Sequence, residues 1–124
     1  MDIQDFGFKD LKVWQKSILF ADEILKIVET LNSNSKHYRL IEQIESACVS
    51  IPSNIAEGKG RESKKEYIRF LYIARGSLYE TISLLNVFKN RNWISGEQLK
   101  YLENQGLEIV SMLKGLINAI SKTL

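Results

Sequence analysis

In four stretches of this chain apolar residues recur at i, i+3, i+4 and i+7, and only short runs of turn-forming residues separate them. That spacing lines one face of an α-helix and does not suit the two-residue alternation of a strand. The four stretches cover about 11–30, 36–57, 64–90 and 96–121. One proline and seven glycines are too few for a turn-rich β protein, which points the same way. Connections this short make successive helices antiparallel neighbours. The expected architecture is all-α: one domain over residues 1–124, an up-down-up-down four-helix bundle with a proline, Pro52, inside the second helix.

Each helix carries its own signals. Val13, Trp14, Ile18, Phe20, Ala21, Ile24, Leu25, Ile27, Val28 and Leu31 fill about half the circumference of the first, wider than the roughly 100° stripe of a surface helix. Leu19 falls outside even that arc, so it is expected in a subunit interface. Asn32-Ser33-Asn34-Ser35 is a turn and N-cap linker. The second helix shows a narrower face of Leu40, Ile41, Ile44, Ala47, Cys48, Ile51 and Ile55, and Pro52 either kinks it or splits it. Gly58-Lys59-Gly60 should end it, with glycine in the left-handed C-cap conformation.

Ser63-Lys64-Lys65-Glu66 and Ser95-Gly96-Glu97-Gln98 read as capping boxes opening helices three and four, with Ile94 stapled onto Leu99. The third helix is expected to bury Tyr67, Phe70, Leu71, Ala74, Ser77, Leu78, Leu85 and Phe88. Phe6 and Phe8 form a lead-in that packs on the bundle or on a neighbouring subunit.

Catalytic machinery is not evident. The sole histidine, His37, and the sole cysteine, Cys48, lie roughly 16 Å apart by helix rise, too far for a thiol–imidazole pair. Cys48 sits at core spacing, where an inert thiol is the default. No Glu-x-x-His pair of a bundle metal site and no phosphate-loop motif occurs. No catalytic residue, metal ligand or cofactor is expected. An acidic N-terminus, a lone cysteine and no apolar run of about 20 residues point to a cytoplasmic protein without a membrane partner.

Charge distribution is more informative than charge. Between Lys59 and Arg75 six cations face two carboxylates, a net of +4 in a chain whose total is +2. Arg61, Lys65, Arg69, Tyr72, Arg75 and Tyr79 share a helix face opposite the core. Cations neutralise phosphates and aromatic planes stack on bases, so Lys59, Arg61, Lys64, Lys65, Arg69, Tyr72 and Arg75 are candidate RNA or DNA contacts. The same face could instead be a solvated helix surface, or a subunit interface centred on Tyr72, Gly76 and Tyr79, where a missing side chain admits a second helix. A row of Gln43, Ser50, Asn54 and Glu57 borders the core near Pro52 and suits polar groups freed by a kink. Glu80 has Arg75 or another helix's cation as expected partner.

Three segments in order, Phe8-Lys9-Asp10-Leu11-Lys12-Val13-Trp14-Gln15-Lys16, Ser50-Ile51-Pro52-Ser53-Asn54-Ile55-Ala56-Glu57-Gly58 and Phe70-Leu71-Tyr72-Ile73-Ala74-Arg75-Gly76-Ser77-Leu78-Tyr79-Glu80, resemble a bacterial family. It is the four-helix-bundle family of proteins encoded in intervening sequences of large-subunit ribosomal RNA genes, some labelled S23 ribosomal protein. Pro52, Asn54, Glu57, Gly58, Gly76 and Glu80 are the motif positions. The resemblance implies a homo-oligomer, with a pentamer as the expected state, because the related accessory protein of diversity-generating retroelements is a barrel-shaped pentamer. That relative has a basic surface and works with a reverse transcriptase and nucleic acid. Where family members often carry arginine after the Gln-hydrophobic pair, this chain has Glu45-Ser46 after Gln43-Ile44. The change lowers local charge by up to three and weakens the expected grip on phosphates. The alternative partner is another protein, held by an oligomeric scaffold.

Overall fold

The structure, a computed structural model, describes residues 6–31 and 37–124. The Asn32–Ser35 linker, the predicted helix start at Lys36 and the acidic N-terminal residues lie outside the described residues. A short 3-10 turn at Gly7–Asp10 leads into α1 (Lys12–Leu31), α2 (Tyr38–Lys59), α3 (Lys64–Asn90) and α4 (Gly96–Ser121). These bounds agree with the periodicity, and α2 runs two residues further than expected. Packing follows a square: α2 lies against α1 and α3, α4 against α3 and α1, and α1 and α3 sit at opposite corners. The expected all-α four-helix bundle is what the chain forms.

The core is apolar and continuous, with Phe20, Ile24, Ile44, Ile51, Ile55, Leu71, Leu78, Leu85, Phe88 and Leu113 all fully buried. The wide arc of α1 is used by contacts with the lead-in turn, α2 and α4. Ile18, placed on that arc, is nevertheless exposed, as is Leu19. Ser17 and Thr81 are fully buried although polar. Each hydroxyl donates to a carbonyl of its own helix, Ser17 to Trp14 and Thr81 to Ser77, at 2.8 Å. This removes the cost of an unpaired buried polar group. Ser77, assigned to the core by its spacing, is only half-buried.

Helix starts follow the caps in part. Ser95 and Gln98 form a complete box, with the Ser95 hydroxyl accepting from the Gln98 amide and the Gln98 side chain accepting from the Ser95 amide. Ser63 accepts from the Glu66 amide at 3.3 Å, but the Glu66 carboxylate turns away to Arg69. The second box is therefore half-formed, because a nearby guanidinium offers a charged donor in place of a neutral amide.

Two expectations about the end of α2 change. Pro52 is buried inside one continuous helix, so the helix is not split. Gly58 does not adopt the left-handed C-cap conformation: it is buried in the last turn of α2, and no glycine among the described residues has positive φ. Its reason is proximity. A Cβ placed there would lie 2.8 Å from Phe70 Cβ and 3.2 Å from the Tyr67 carbonyl oxygen. The missing side chain lets α2 and α3 close on each other just where the cationic segment begins.

Candidate nucleic-acid interface

The tight α2–α3 hairpin places Arg61 over a residue of the next helix. The Arg61 guanidinium carbon lies 4.8 Å from the centroid of the Phe70 ring, and that of Arg69 lies 4.9 Å from the same ring. Phe70 is buried, so two cations share one aromatic platform rather than swinging freely. Stacking leaves the in-plane N–H groups of a guanidinium available to an anion. Arg69 Nε donates to Glu66 Oε2 at 3.0 Å, which engages one of its donors. Arg61 Nη2 is 3.9 Å from Glu57 Oε1, at the outer limit of an ion pair. Exposed pairs of this kind contribute about 0–1 kcal/mol and yield to a competing phosphate.

Lys65 is exposed and pairs with no carboxylate among the described residues. Lys64 serves the fold, since its ammonium donates to the Thr123 carbonyl at 3.1 Å and ties the start of α3 to the chain end beyond α4. Lys59 reaches over Tyr67, its ammonium 6.0 Å from the ring centroid. Further along α3, Arg75 lies between two exposed tyrosines, 4.8 Å from the Tyr72 centroid and 5.8 Å from that of Tyr79. No carboxylate pairs with Arg75 among the described residues. Gly76 beside it is open, since a Cβ there would meet nothing within 4 Å.

The structure thus brings Arg61, Lys65, Arg69, Tyr72, Arg75 and Tyr79 onto one outward face, and sets Lys64 and Lys59 at its start. Leu19 is elsewhere. It sits on α1, beside Lys16, Glu23 and Tyr101, in a cleft bridged by the Lys16–Glu108 ion pair at 2.6 Å. Leu19 and the Tyr72–Gly76–Tyr79 surface therefore form two faces, not one. Of the motif residues on α2, Asn54 takes part in a contact between helices. Asn54 Nδ2 donates to the carbonyl and the hydroxyl of Ser50, each at 2.8 Å, and Ser50 Oγ lies 2.9 Å from Ser77 Oγ, a polar clasp between α2 and α3. Among the described residues Glu80 takes neither Arg75 nor another cation; its carboxylate accepts from Gln43 Nε2 at 3.3 Å.

Phe70 is the site residue that sequence reasoning put only in the core. Its place immediately after Arg69 was visible, but the approach of Arg61 depends on the hairpin and on Gly58.

Burial pushes the Cys48 thiol up to about 11, so it is protonated at neutral pH and a poor nucleophile. His37 packs against Trp93, with ring centroids 4.4 Å apart and planes tilted by 40°, and makes no side-chain cap bond. Among the described residues no group of three or more histidine, cysteine or acidic side chains could hold a metal ion. No described helix is long and apolar enough to cross a membrane.

A family model described as 23S rRNA-intervening sequence protein matches residues 9–115. A solved structure of a protein with unknown function from the S23 ribosomal protein family of Bacteroides thetaiotaomicron is 30% identical. It superposes with a TM-score of 0.79 over 85% of this chain and 97% of its own. No curated protein matches the chain.

Proposed function

We propose that this chain, which belongs to the 23S rRNA-intervening sequence protein family, is a non-enzymatic, self-associating bundle that binds RNA or DNA along the outer face of α3. The binding is weak and does not read sequence. One observation carries the proposal: Arg61, Arg69 and Arg75 rest on aromatic rings, and of the four cations in the row only Arg69 has a close carboxylate, Glu66 at 3.0 Å. Lys65 and Arg75 have no carboxylate among the described residues, and Arg61 has only a distant one. Phosphates supply the missing charge, and the protruding Tyr72 ring offers a stacking plane. Weakness follows from a total charge of only +2 and from Glu45-Ser46 on α2. A lone free thiol such as Cys48 suits the reducing cytoplasm, where we place the protein.

Anisotropy of labelled, mixed-sequence RNA and DNA between about 50 and 200 mM salt tests this. If Arg61, Lys65, Arg69 and Arg75 each neutralise one phosphate of a single strand, affinity should fall roughly 50-fold over that range, from a slope of about −0.7 per contact. Reversing three of them, Arg61→Glu, Lys65→Glu and Arg69→Glu together, should abolish measurable binding at the higher salt. A reversed variant that binds as well as the parent removes the proposal.

Self-association is assigned to the exposed Leu19 surface of α1. Because α1 and α3 sit at opposite corners of the bundle, contacts at Leu19 leave the outer face of α3 open. Light scattering should give a multiple of 14.3 kDa for the parent, with five copies expected, and 14.3 kDa for Leu19→Asp. A monomeric parent contradicts this part of the reading. The open Gly76 position between two exposed tyrosines favours a second reading, in which that face docks another protein chain. Recovery of one protein partner without enriched nucleic acid would decide for it.

A further inference from the structure

Beside the cationic face, α3 and α4 leave an open groove of about 460 Å³. Its walls are Leu78, Ile82, Leu107 and Val110, its floor is Gly106, and its rim carries Tyr79, Ser83 and Glu103. Gly106 makes the depth: a Cβ there would come within 3.2 Å of Ile82. The volume lies within the range of about 300–1,000 Å³ seen for small-molecule sites, and apolar walls with a few polar groups are the usual lining.

Tyr79 belongs to both features. Its ring supports Arg75 at 5.8 Å and also forms the lip of the groove. Arg75 is held between Tyr72 and Tyr79, so a phosphate on its free N–H groups places the attached nucleotide at that lip. Two properties of the groove then select which part of the nucleotide enters. Apolar walls favour a flat aromatic ring over a sugar–phosphate. The Glu103 carboxylate, which accepts from Asn86 Nδ2 at 3.0 Å, repels a phosphate and keeps acceptor capacity for an exocyclic amino group. A base stacked in a duplex exposes no face to such a groove, whereas an unpaired base does.

Resting on the nucleic-acid reading above, we infer that the α3–α4 groove is a pocket for one unpaired, amino-bearing nucleobase of a strand whose phosphates follow the α3 cations. Tyr79 is its stacking lip and Glu103 its hydrogen-bond acceptor. The ligand class is therefore single-stranded nucleic acid, with adenine, cytosine or guanine preferred over uracil or thymine at the pocket.

The test compares a labelled single strand with the same strand annealed to its complement, at equal low salt, for the parent and for Ser83→Gln/Leu107→Ser, which obstructs the rim and removes a wall without touching the rings around Arg75. Both side chains are exposed and neither substitution changes charge, so the fold and the phosphate attraction stay intact. The double variant should lose about tenfold or more in single-strand affinity, the scale of one lost base stack, and keep its duplex affinity. A homopolymer of cytosine should bind the parent more tightly than one of uracil or thymine. Equal binding of single strand and duplex by the parent overturns the pocket and leaves the cationic reading standing. So does unchanged single-strand affinity in the double variant. A double variant that keeps its strand affinity but forms a smaller particle overturns it too, and shows that a second copy fills the groove. No binding of either probe overturns both readings.

Discussion

Replacing Phe88 with alanine is expected to cost about 3–5 kcal/mol of unfolding free energy, the range for deleting a buried aromatic ring. Phe88 is fully buried near the end of α3. Its ring centroid lies 5.0 Å from that of Trp93, which in turn packs against His37 at the start of α2. Three aromatic rings thus close one end of the bundle, joining α3, the α3–α4 connection and α2. Truncating the innermost leaves a cavity that Trp93 cannot collapse into without leaving His37. Urea unfolding followed by far-UV circular dichroism measures the cost. A loss under about 1 kcal/mol would mean that this end of the bundle repacks freely, against the close fit described here.

Gly58→Leu is the second large effect, expected at about 3 kcal/mol, the upper end of overpacking. In an ordinary helix interior the exchange of glycine for a good helix former stabilises by about 1 kcal/mol. Here the sign reverses, because the first atom added would stand 2.8 Å from Phe70 Cβ and 3.1 Å from the Tyr67 ring. Phe70 Cβ is fixed to the α3 backbone, so the helices must separate. The same displacement would carry Phe70 from under Arg61 and Arg69 and loosen the cationic face. Gly58→Ala isolates the cause: it adds one carbon and should still destabilise. If alanine stabilises, the close approach of α2 and α3 is not what selects glycine there.

The fold was legible because a bundle is written locally. Helical spacing, two serine N-caps and short connections each depend on residues a few positions apart, and they located all four helices. Ser17 and Thr81 escaped this reading because their polarity argues against burial until their bonds to the carbonyls of Trp14 and Ser77 are known. Gly58 escaped it for a related reason. Glycine before a basic turn has the local look of a C-cap, and only the position of Phe70 shows that it is a contact point.

The candidate site divides the same way. That Lys65, Arg69 and Arg75 share a face of α3 follows from about 3.6 residues per turn and needed no coordinates, whereas Arg61 precedes the helix and is brought there by the hairpin. Sequence also assigned the family, through three ordered segments that the family match over residues 9–115 bears out. What it did not determine was the partner of each charged group. Glu80 meets neutral Gln43, Lys64 meets the Thr123 carbonyl, and Arg61 and Arg69 converge on one ring. The placement of Leu19 away from the tyrosines, and the groove between α3 and α4, were likewise settled by packing. Periodicity fixes the face on which a side chain lies, since that depends on one helix alone. What the side chain touches depends on how two helices cross, and distant residues such as Gly58 and Gly106 set that approach.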